Sequence, residues 1–200
     1  MVTKKDINKL SSIYSLPKEI HCNKDILLDY RLFQALTERD PERDYFYDFD
    51  CYLEEYGCNL QRDYVWEITQ QREFIMSLLL EKPIESVVVV MCEGEIRTSP
   101  KDSKMLVIDG KQRLMTIQKF VNGEFSIVIS GNEVYYSDFD DELKRFLRQR
   151  VNFMNATVYY SYLLAPVTDD MKIKLFNFYN FSGTPQTEEH KKKLERLLKK

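Results

Sequence analysis

The stretch VIDGKQRL, residues 107–114, decides how this chain folds around its most polar turn. A run of apolar residues stops at Asp109-Gly110, a basic, amide-bearing trio (KQR) follows, and an apolar pattern of helical spacing begins at the final leucine. Glycine permits a tight turn that other residues resist. We therefore predict that a buried strand ends at this Asp-Gly pair and feeds directly into a helix.

The chemistry of this corner favours an anionic ligand, and phosphate in particular. The first turn of a helix leaves backbone N–H groups without partners, and the helix dipole places positive charge there. Lys111 would add a point charge and Arg113 a planar fork, while Asp109 would hold a metal ion such as Mg²⁺, orient a water molecule or position the arginine. Gly110 would let a ligand approach the backbone closely. An ordinary solvated helix start remains the alternative, and neither a P-loop nor a G-x-S-x-G motif is present.

The flanking segments predict an α+β fold with a small mixed sheet and surrounding helices. SVVVVMC, residues 86–92, is short, continuous and β-branched, which is typical of a strand buried on both faces. The sequence has no sustained βαβ alternation, so we do not expect a doubly wound parallel sheet. The remaining predicted elements are helices over 24–38, 68–80, 114–121, 140–151, from 169 and over 188–198, a hairpin over 124–139 split by Gly131, a strand over 156–165, and a half-buried strand or short helix in the acidic-aromatic stretch 43–57.

Composition narrows the possible partners and location. The net charge of −3 argues against a protein that coats nucleic acid by bulk electrostatics, although a local basic patch remains compatible with it. The 4 cysteines form no C-x-x-C pair and only 2 histidines are present, which argues against a zinc site. We expect reduced, mostly buried thiols. With no secretory signal and no apolar run of about 20 residues, we expect a soluble, cytoplasmic protein without membrane association.

A second polar cluster precedes the predicted helix over 68–80. The segment NLQRDYVWEITQQREFIMSLL, residues 59–79, contains Gln61, Arg62, Tyr64 and the only tryptophan, Trp66. An arginine flanked by aromatic residues is a reasonable clamp for a base or a phosphate. The alternative is a packing pair of aromatic side chains beside a surface arginine. A third segment, NFYNFSGTP at 177–185, predicts the end of a helix.

Together these three segments resemble the GmrSD-type N-terminal domain. LQRDYVW, VIDGKQRLMTIQKF and LFNFYNFSGTPQTEEH occur in the order and spacing of that family, over about residues 50–198. The family includes type IV restriction enzymes that cleave modified DNA and related defence proteins. Its central signature is usually D-G-Q-Q-R, so Lys111 departs from it, whereas Gln112 and Arg113 are kept. The resemblance implies a ParB/sulfiredoxin-like fold, with an N-terminal helical segment over 1–48 and the domain itself over 49–200.

The resemblance also implies a function and a set of residues. It implies binding and hydrolysis of an NTP with Mg²⁺, coupled to work on or near DNA. Lys111 stands where sulfiredoxin carries its reactive cysteine, so thiol redox chemistry is not expected. Long members append a His-Asn-His nuclease domain that we expect this chain to lack, and short members resemble phage-encoded proteins. Carried over by position, the catalytic residues are Asp109 and Arg113, and the nucleotide or phosphate contacts are Gly110, Lys111, Gln112, Gln61 and Arg62.

Two other classes of function remain open. One is a binding module without turnover, in which Lys144, Arg145 and Arg148 of the basic segment LKRFLRQR (143–150) contact DNA; the alternative for these side chains is a solvated helix face. The other is a regulatory or anti-defence protein, in which the acidic-aromatic stretch mimics DNA or binds a partner. A nuclease or a host protein is the partner expected in these cases.

Overall fold

The computed structural model describes residues 20–23, 32–37, 46–85, 87–92, 104–152, 156–161, 167–180 and 196. Its strands pair into one five-stranded sheet and two short hairpins. In chain order the elements are β1 (Ile20–Asn23), α1 (Leu32–Thr37), β2 (Phe46–Asp48), β3 (Tyr52–Leu53), β4 (Cys58–Asn59), α2 (Ile68–Leu79), β5 (Val87–Cys92), β6 (Lys104–Asp109), α3 (Lys111–Val121), β7 (Ile127–Ile129), β8 (Asn132–Val134), a 3₁₀ turn (Tyr136–Asp138), α4 (Asp141–Asn152), β9 (Ala156–Ser161) and α5 (Asp169–Asn180).

The main sheet is mixed, with the strand order β1-β9-β5-β6-β2. β9 pairs with β5 in parallel and β6 pairs with β2 in parallel, whereas the β1–β9 and β5–β6 pairs are antiparallel. The predicted α+β class and the small mixed sheet are confirmed. β5 lies at the centre of the sheet, as its unbroken β-branched sequence predicts.

Alternate residues of the central strands enter two separate cores. Val87 and Val89 face the first core, which is filled by α1, α2, α3 and α4, while Val88 faces the second. β6 divides in the same way, with Val107 in the first core and Ile108 in the second. α5 and the β3–β4 hairpin cover the second face. Since successive side chains of a strand point to opposite faces, burial on both sides requires the continuous apolar run seen in the sequence.

Helix α3 begins earlier than its apolar pattern. Lys111 is already helical, and the N–H of Leu114 donates to the carbonyl of Gly110 at 2.9 Å. The KQR trio is therefore the first turn of α3. Helix α2 and strands β5 and β6 lie where the sequence predicts them, and α3 ends before Asn122-Gly123 as expected.

Part of the predicted hairpin is wrong. β7 and β8 pair around Gly131, but the second arm stops at Val134 and a 3₁₀ turn follows. The N–H of Tyr135 donates to Asp138 Oδ2 at 2.8 Å, and this local side-chain bond offers the backbone an alternative to the ladder. The strand therefore does not continue to residue 139.

Other predictions fall partly on residues that the structure does not describe. Of the predicted helix over 24–38 the described part is α1, and of the strand over 156–165 it is β9. Residues 181–185 lie outside the described residues, as do 188–198 apart from Arg196. Within the stretch 43–57, β2 joins the main sheet and β3 begins a hairpin. The division at residue 48 stays a prediction, although β1 and β2 belong to the same sheet as the later strands.

Candidate functional site

Gly110 forms the corner between β6 and α3. Its φ is +104°, and a Cβ at this position would lie 2.5 Å from Val87 Cγ1 and 2.9 Å from Val87 Cβ. Only glycine satisfies both the backbone conformation and the close approach of β5. As the N-cap residue it has no side chain, and no side-chain hydrogen bond caps α3. The first N–H groups of the helix are therefore not satisfied by a capping side chain.

The two residues predicted to be catalytic contact each other directly. Arg113 donates from Nη2 to Asp109 Oδ2 at 2.7 Å, one turn apart on the chain. Arg113 also donates to the carbonyl of Glu85, just before β5. The arginine side chain is 11% exposed and the aspartate side chain 42%. This ion pair holds the carboxylate at the solvent edge of the corner in one orientation.

Lys111, the departure from the family signature, has its own carboxylate partner. Its side chain is only 6% exposed, and Nζ lies 2.7 Å from Asp50 Oδ1. Asp50 belongs to the turn after β2, in which Asp48 Oδ1 accepts from the N–H groups of Asp50 and Cys51 at 3.0 and 2.9 Å. Asp50 is not among the residues predicted for this site. A lysine beside a buried strand was the available signal, because a buried ammonium group needs an anion.

Gln112 uses its amide to hold a loop. Nε2 donates to the carbonyl of Asp63 at 3.0 Å, and Oε1 accepts from the N–H groups of Val65 at 2.9 Å and Trp66 at 3.3 Å. The residue is buried. These bonds join the first turn of α3 to residues 61–67, which we call the 61–67 loop.

Gln61 fixes the other end of the 61–67 loop. Its Nε2 donates to the carbonyls of Val107 at 2.7 Å and Ile108 at 2.8 Å, near the end of β6. Its backbone N–H donates to the carbonyl of Asp50 at 3.1 Å. The family resemblance implies that Gln61 approaches the same corner as the D-G-K-Q-R segment, and in the structure Gln61 bonds to the backbone of β6 beside that corner.

Arg62 lies between these two anchors. Its side chain is part-buried, and among the described residues its guanidinium makes no hydrogen bond or ion pair. Lys111 and Arg113 differ from it, because each is bound to a carboxylate. Within the part of the chain that the structure describes, Arg62 is thus the cation of this corner that lacks a counterion.

The aromatic residues of the 61–67 loop are used in packing. Trp66 meets Phe74 of α2 edge-on, with 5.4 Å between ring centroids. The Tyr64 hydroxyl lies 2.8 Å from Thr116 Oγ1, and Lys119 Nζ stands 5.4 Å from the Tyr64 ring centroid. Burial raises the pKa of Tyr64, partly offset by the hydrogen bond to Thr116 and by Lys119. These contacts brace the loop against α2 and α3.

The basic residues of α4 form a separate surface. Lys144 Nζ stands 5.7 Å from the Tyr136 ring centroid, and the Arg148 guanidinium 5.5 Å from that of Phe33. Arg145 is exposed and has no partner among the described residues. In the described residues none of the three hydrogen-bonds to the corner. The predicted DNA-contacting residues and the predicted nucleotide residues therefore do not share one cluster.

The described segments contain neither a group of metal-ligating side chains nor a helix suited to span a membrane. In the described segments, no group of three or more Cys, His, Asp and Glu side chains is arranged to hold a metal ion. None of the helices in these segments combines the length and apolarity needed to cross a bilayer. Cys51 and Cys58 are free thiols.

Most of the residues of this site lie in a segment that matches a known protein family. Residues 59–200 match the family described as the GmrSD restriction endonuclease, N-terminal domain. No curated protein and no solved structure gives a significant match to the chain. The matched segment includes the 61–67 loop, the Asp-Gly corner and α3, and it confirms the resemblance seen in the sequence. The chain therefore belongs to the family of N-terminal domains of GmrSD restriction endonucleases, which makes it a restriction-related domain.

Proposed function

We propose that the start of α3 and Arg62 bind the phosphates of an NTP with Mg²⁺, and that the domain hydrolyses this NTP while working on or near DNA. One observation carries the proposal: Gln112, in the first turn of a helix that has no side-chain cap, bonds to the carbonyl of Asp63, the chain neighbour of a part-buried arginine that lacks a counterion among the described residues. Backbone N–H groups and a guanidinium fork are the donors that phosphate oxygens prefer.

The charges of the corner support a metal-bound ligand. Arg62, Lys111 and Arg113 contribute three positive charges, and Asp50 and Asp109 contribute two negative charges, which leaves +1 for these five side chains. A nucleotide carries more negative charge than that. Mg²⁺ commonly binds through one or two carboxylates together with phosphate oxygens. The half-exposed Asp109 fits this role, since Oδ1 is the oxygen that its ion pair does not use. Bound Mg²⁺ would neutralise phosphate charge.

The residues have separate roles in the proposed hydrolysis. Phosphoryl transfer depends mainly on positioning and on stabilising the charge that develops on the phosphate oxygens. Asp109, held by Arg113, would orient the attacking water at the edge of the corner. Arg113 and Arg62 would stabilise the developing charge. The buried Lys111 would keep the first turn of α3 against the turn after β2.

The test measures NTP binding and turnover with purified protein. We expect one of the four NTPs with Mg²⁺ to raise the melting temperature and to be hydrolysed. A charge-assisted hydrogen bond contributes about 1.5–3 kcal/mol, so Arg62→Ala should weaken binding roughly 10- to 150-fold. Arg72→Ala is the matched control, because Arg72 is bound to Ser126 and Glu133. Asp109→Ala should abolish turnover. If wild-type protein neither binds nor hydrolyses any NTP, the proposal is refuted.

A second candidate function is DNA binding by α4 without turnover. Exposed Arg145, which has no partner in the described residues, favours it, with Lys144 and Arg148 close by on the same helix. A gel shift at increasing salt tests this. Affinity should fall steeply with salt, and Arg145→Glu should weaken it, whereas Lys174→Glu on α5 should have a smaller effect. Affinity that depends on NTP and ignores Arg145→Glu would exclude this function.

A further inference from the structure

We infer that Gln112 is a positioning residue, which acts on the ligand only through Arg62. The resemblance to the family suggests a direct contact between this amide and a nucleotide, but the structure gives the amide another task. The inference rests on the proposed function and assigns one residue of that site a different role. It follows from how the amide is bonded and from the position of Arg62 directly before one of its bonding partners, Asp63.

The hydrogen bonds of Gln112 use both ends of its amide. Oε1 accepts from two successive N–H groups, those of Val65 and Trp66, and Nε2 donates to the carbonyl of Asp63. An amide oxygen has two lone pairs, so its acceptor capacity is filled. The residue is 8% exposed. Contact with a ligand through Oε1 would require breaking bonds that hold the loop.

The 61–67 loop is also held at its two ends. Gln61 bonds to the carbonyls of Val107 and Ile108 at one end. At the other end Gln71 Nε2 donates to the carbonyl of Trp66 at 2.8 Å, and Glu67 N–H donates to Gln70 Oε1 at 3.0 Å. Gln112 supplies the bonds to the middle of the loop. Without it, the backbone of residues 63–66 loses its described hydrogen bonds to α3, and the side-chain contact of Tyr64 with Thr116 is the hydrogen bond that remains.

These bonds hold the backbone on both sides of Arg62. It lies between Gln61 and Asp63, both of which are bonded to the β6–α3 corner. Fixing the backbone on both sides of a long side chain reduces the entropy that must be lost when that side chain binds an anion. Loss of the Gln112 bonds frees the backbone after Arg62. The affinity lost in a Gln112 variant should therefore be affinity that Arg62 would have supplied.

A double-mutant cycle tests whether Gln112 acts through Arg62. With the NTP that stabilises wild type most, we expect Gln112→Ala to weaken binding about tenfold, the size of a typical coupling between residues of one network. In the Arg62→Ala background, Gln112→Ala should change affinity less than about twofold. Gln118→Ala is the matched control: this glutamine of α3 donates to the carbonyl of Leu36 at 3.2 Å, away from the loop, and its loss should leave affinity unchanged.

The single tryptophan supplies an independent readout. The backbone N–H of Trp66 donates to Gln112 Oε1, so Gln112→Ala should change the emission of Trp66, whereas Arg62→Ala should not. If Gln112→Ala does not fold, Gln112→Met keeps most of the side-chain volume and takes its place in the cycle. Equal effects of the Gln112 substitution with and without Arg62 would overturn the inference, as would an unchanged affinity in Gln112→Ala. Absence of NTP binding by wild type would instead refute the proposed function, and the inference with it.

Discussion

Replacing Gly110 by alanine should destabilise the protein far more than the same change at the other end of α3. The backbone at φ +104° is strained for any residue with a Cβ, at a cost of about 1–3 kcal/mol. The new methyl would stand 2.5 Å from Val87 Cγ1 and 2.9 Å from Val87 Cβ, and Val87 is fully buried. Overpacking of this kind costs about 1–3 kcal/mol.

The expected loss is therefore about 2–6 kcal/mol in the free energy of unfolding, the sum of both costs. For a chain of this size that corresponds to a fall in melting temperature of roughly 5–20 °C. Gly123→Ala is the matched control, because Gly123 has φ +75° but nothing within 4 Å of a Cβ. Gly123→Ala should lower the free energy of unfolding only by the cost of the backbone conformation, about 1–2 kcal/mol.

Thermal and urea unfolding followed by circular dichroism measure both variants. Val87→Ala should reduce the cost of Gly110→Ala, since it removes the Cγ1 atom at 2.5 Å and leaves the Cβ at 2.9 Å. A Gly110→Ala protein no less stable than Gly123→Ala would show that close packing of β5 against this corner is not what requires glycine.

Two further predictions concern the second core. Lys172 Nζ lies 2.9 Å from Asp169 Oδ1 with both side chains largely buried, and it also donates to the carbonyl of Tyr52. Lys172→Met leaves the aspartate without its cation and should lower the free energy of unfolding by about 3–5 kcal/mol. Lys174→Met, on the exposed side of the same helix, should lower it by at most about 1 kcal/mol. Equal unfolding midpoints of the two variants would contradict this. Burial raises the pKa of the Cys51 thiol from 9.0 to about 12, so the unfolded chain loses this proton at lower pH than the folded chain. The free energy of unfolding should therefore fall as the pH rises from 9 towards 12, less steeply in Cys51→Ala, and parallel pH profiles of the two proteins would contradict the assignment.

Several elements were predictable because each depends on local sequence. The short, continuous, β-branched valine run is typical of a strand buried on both faces, and the Asp-Gly pair marked the end of β6 to the residue. The spacing of apolar residues likewise predicted α2 and α4. The second arm of the β7–β8 hairpin was not predictable from alternation, because one carboxylate, Asp138, bonds to the backbone of Tyr135 and ends the strand.

The sequence predicted which segments lie near this corner, but not which side chains pair with one another there. Gln61, Arg62 and the D-G-K-Q-R segment were expected to meet; Gln61 bonds to the end of β6, and Arg62 is the next residue along the chain. The pairing of Lys111 with Asp50 could not be predicted, since 61 residues separate them along the chain. Only the parallel pairing of β2 with β6 brings that turn beside α3.

The linear order of residues determines that this chain has a mixed α+β fold, that β6 turns sharply into α3, and that charged and amide side chains gather at that turn. These properties depend on short-range sterics and on burial patterns that repeat every two or four residues. Contacts between segments far apart in sequence determine which amide bonds to the loop. They also determine which cation is paired with a carboxylate and which is not. Such contacts are set when two layers pack on one sheet, and there Gln112 is bonded to the 61–67 loop while Arg62 is left as the cation without a counterion among the described residues.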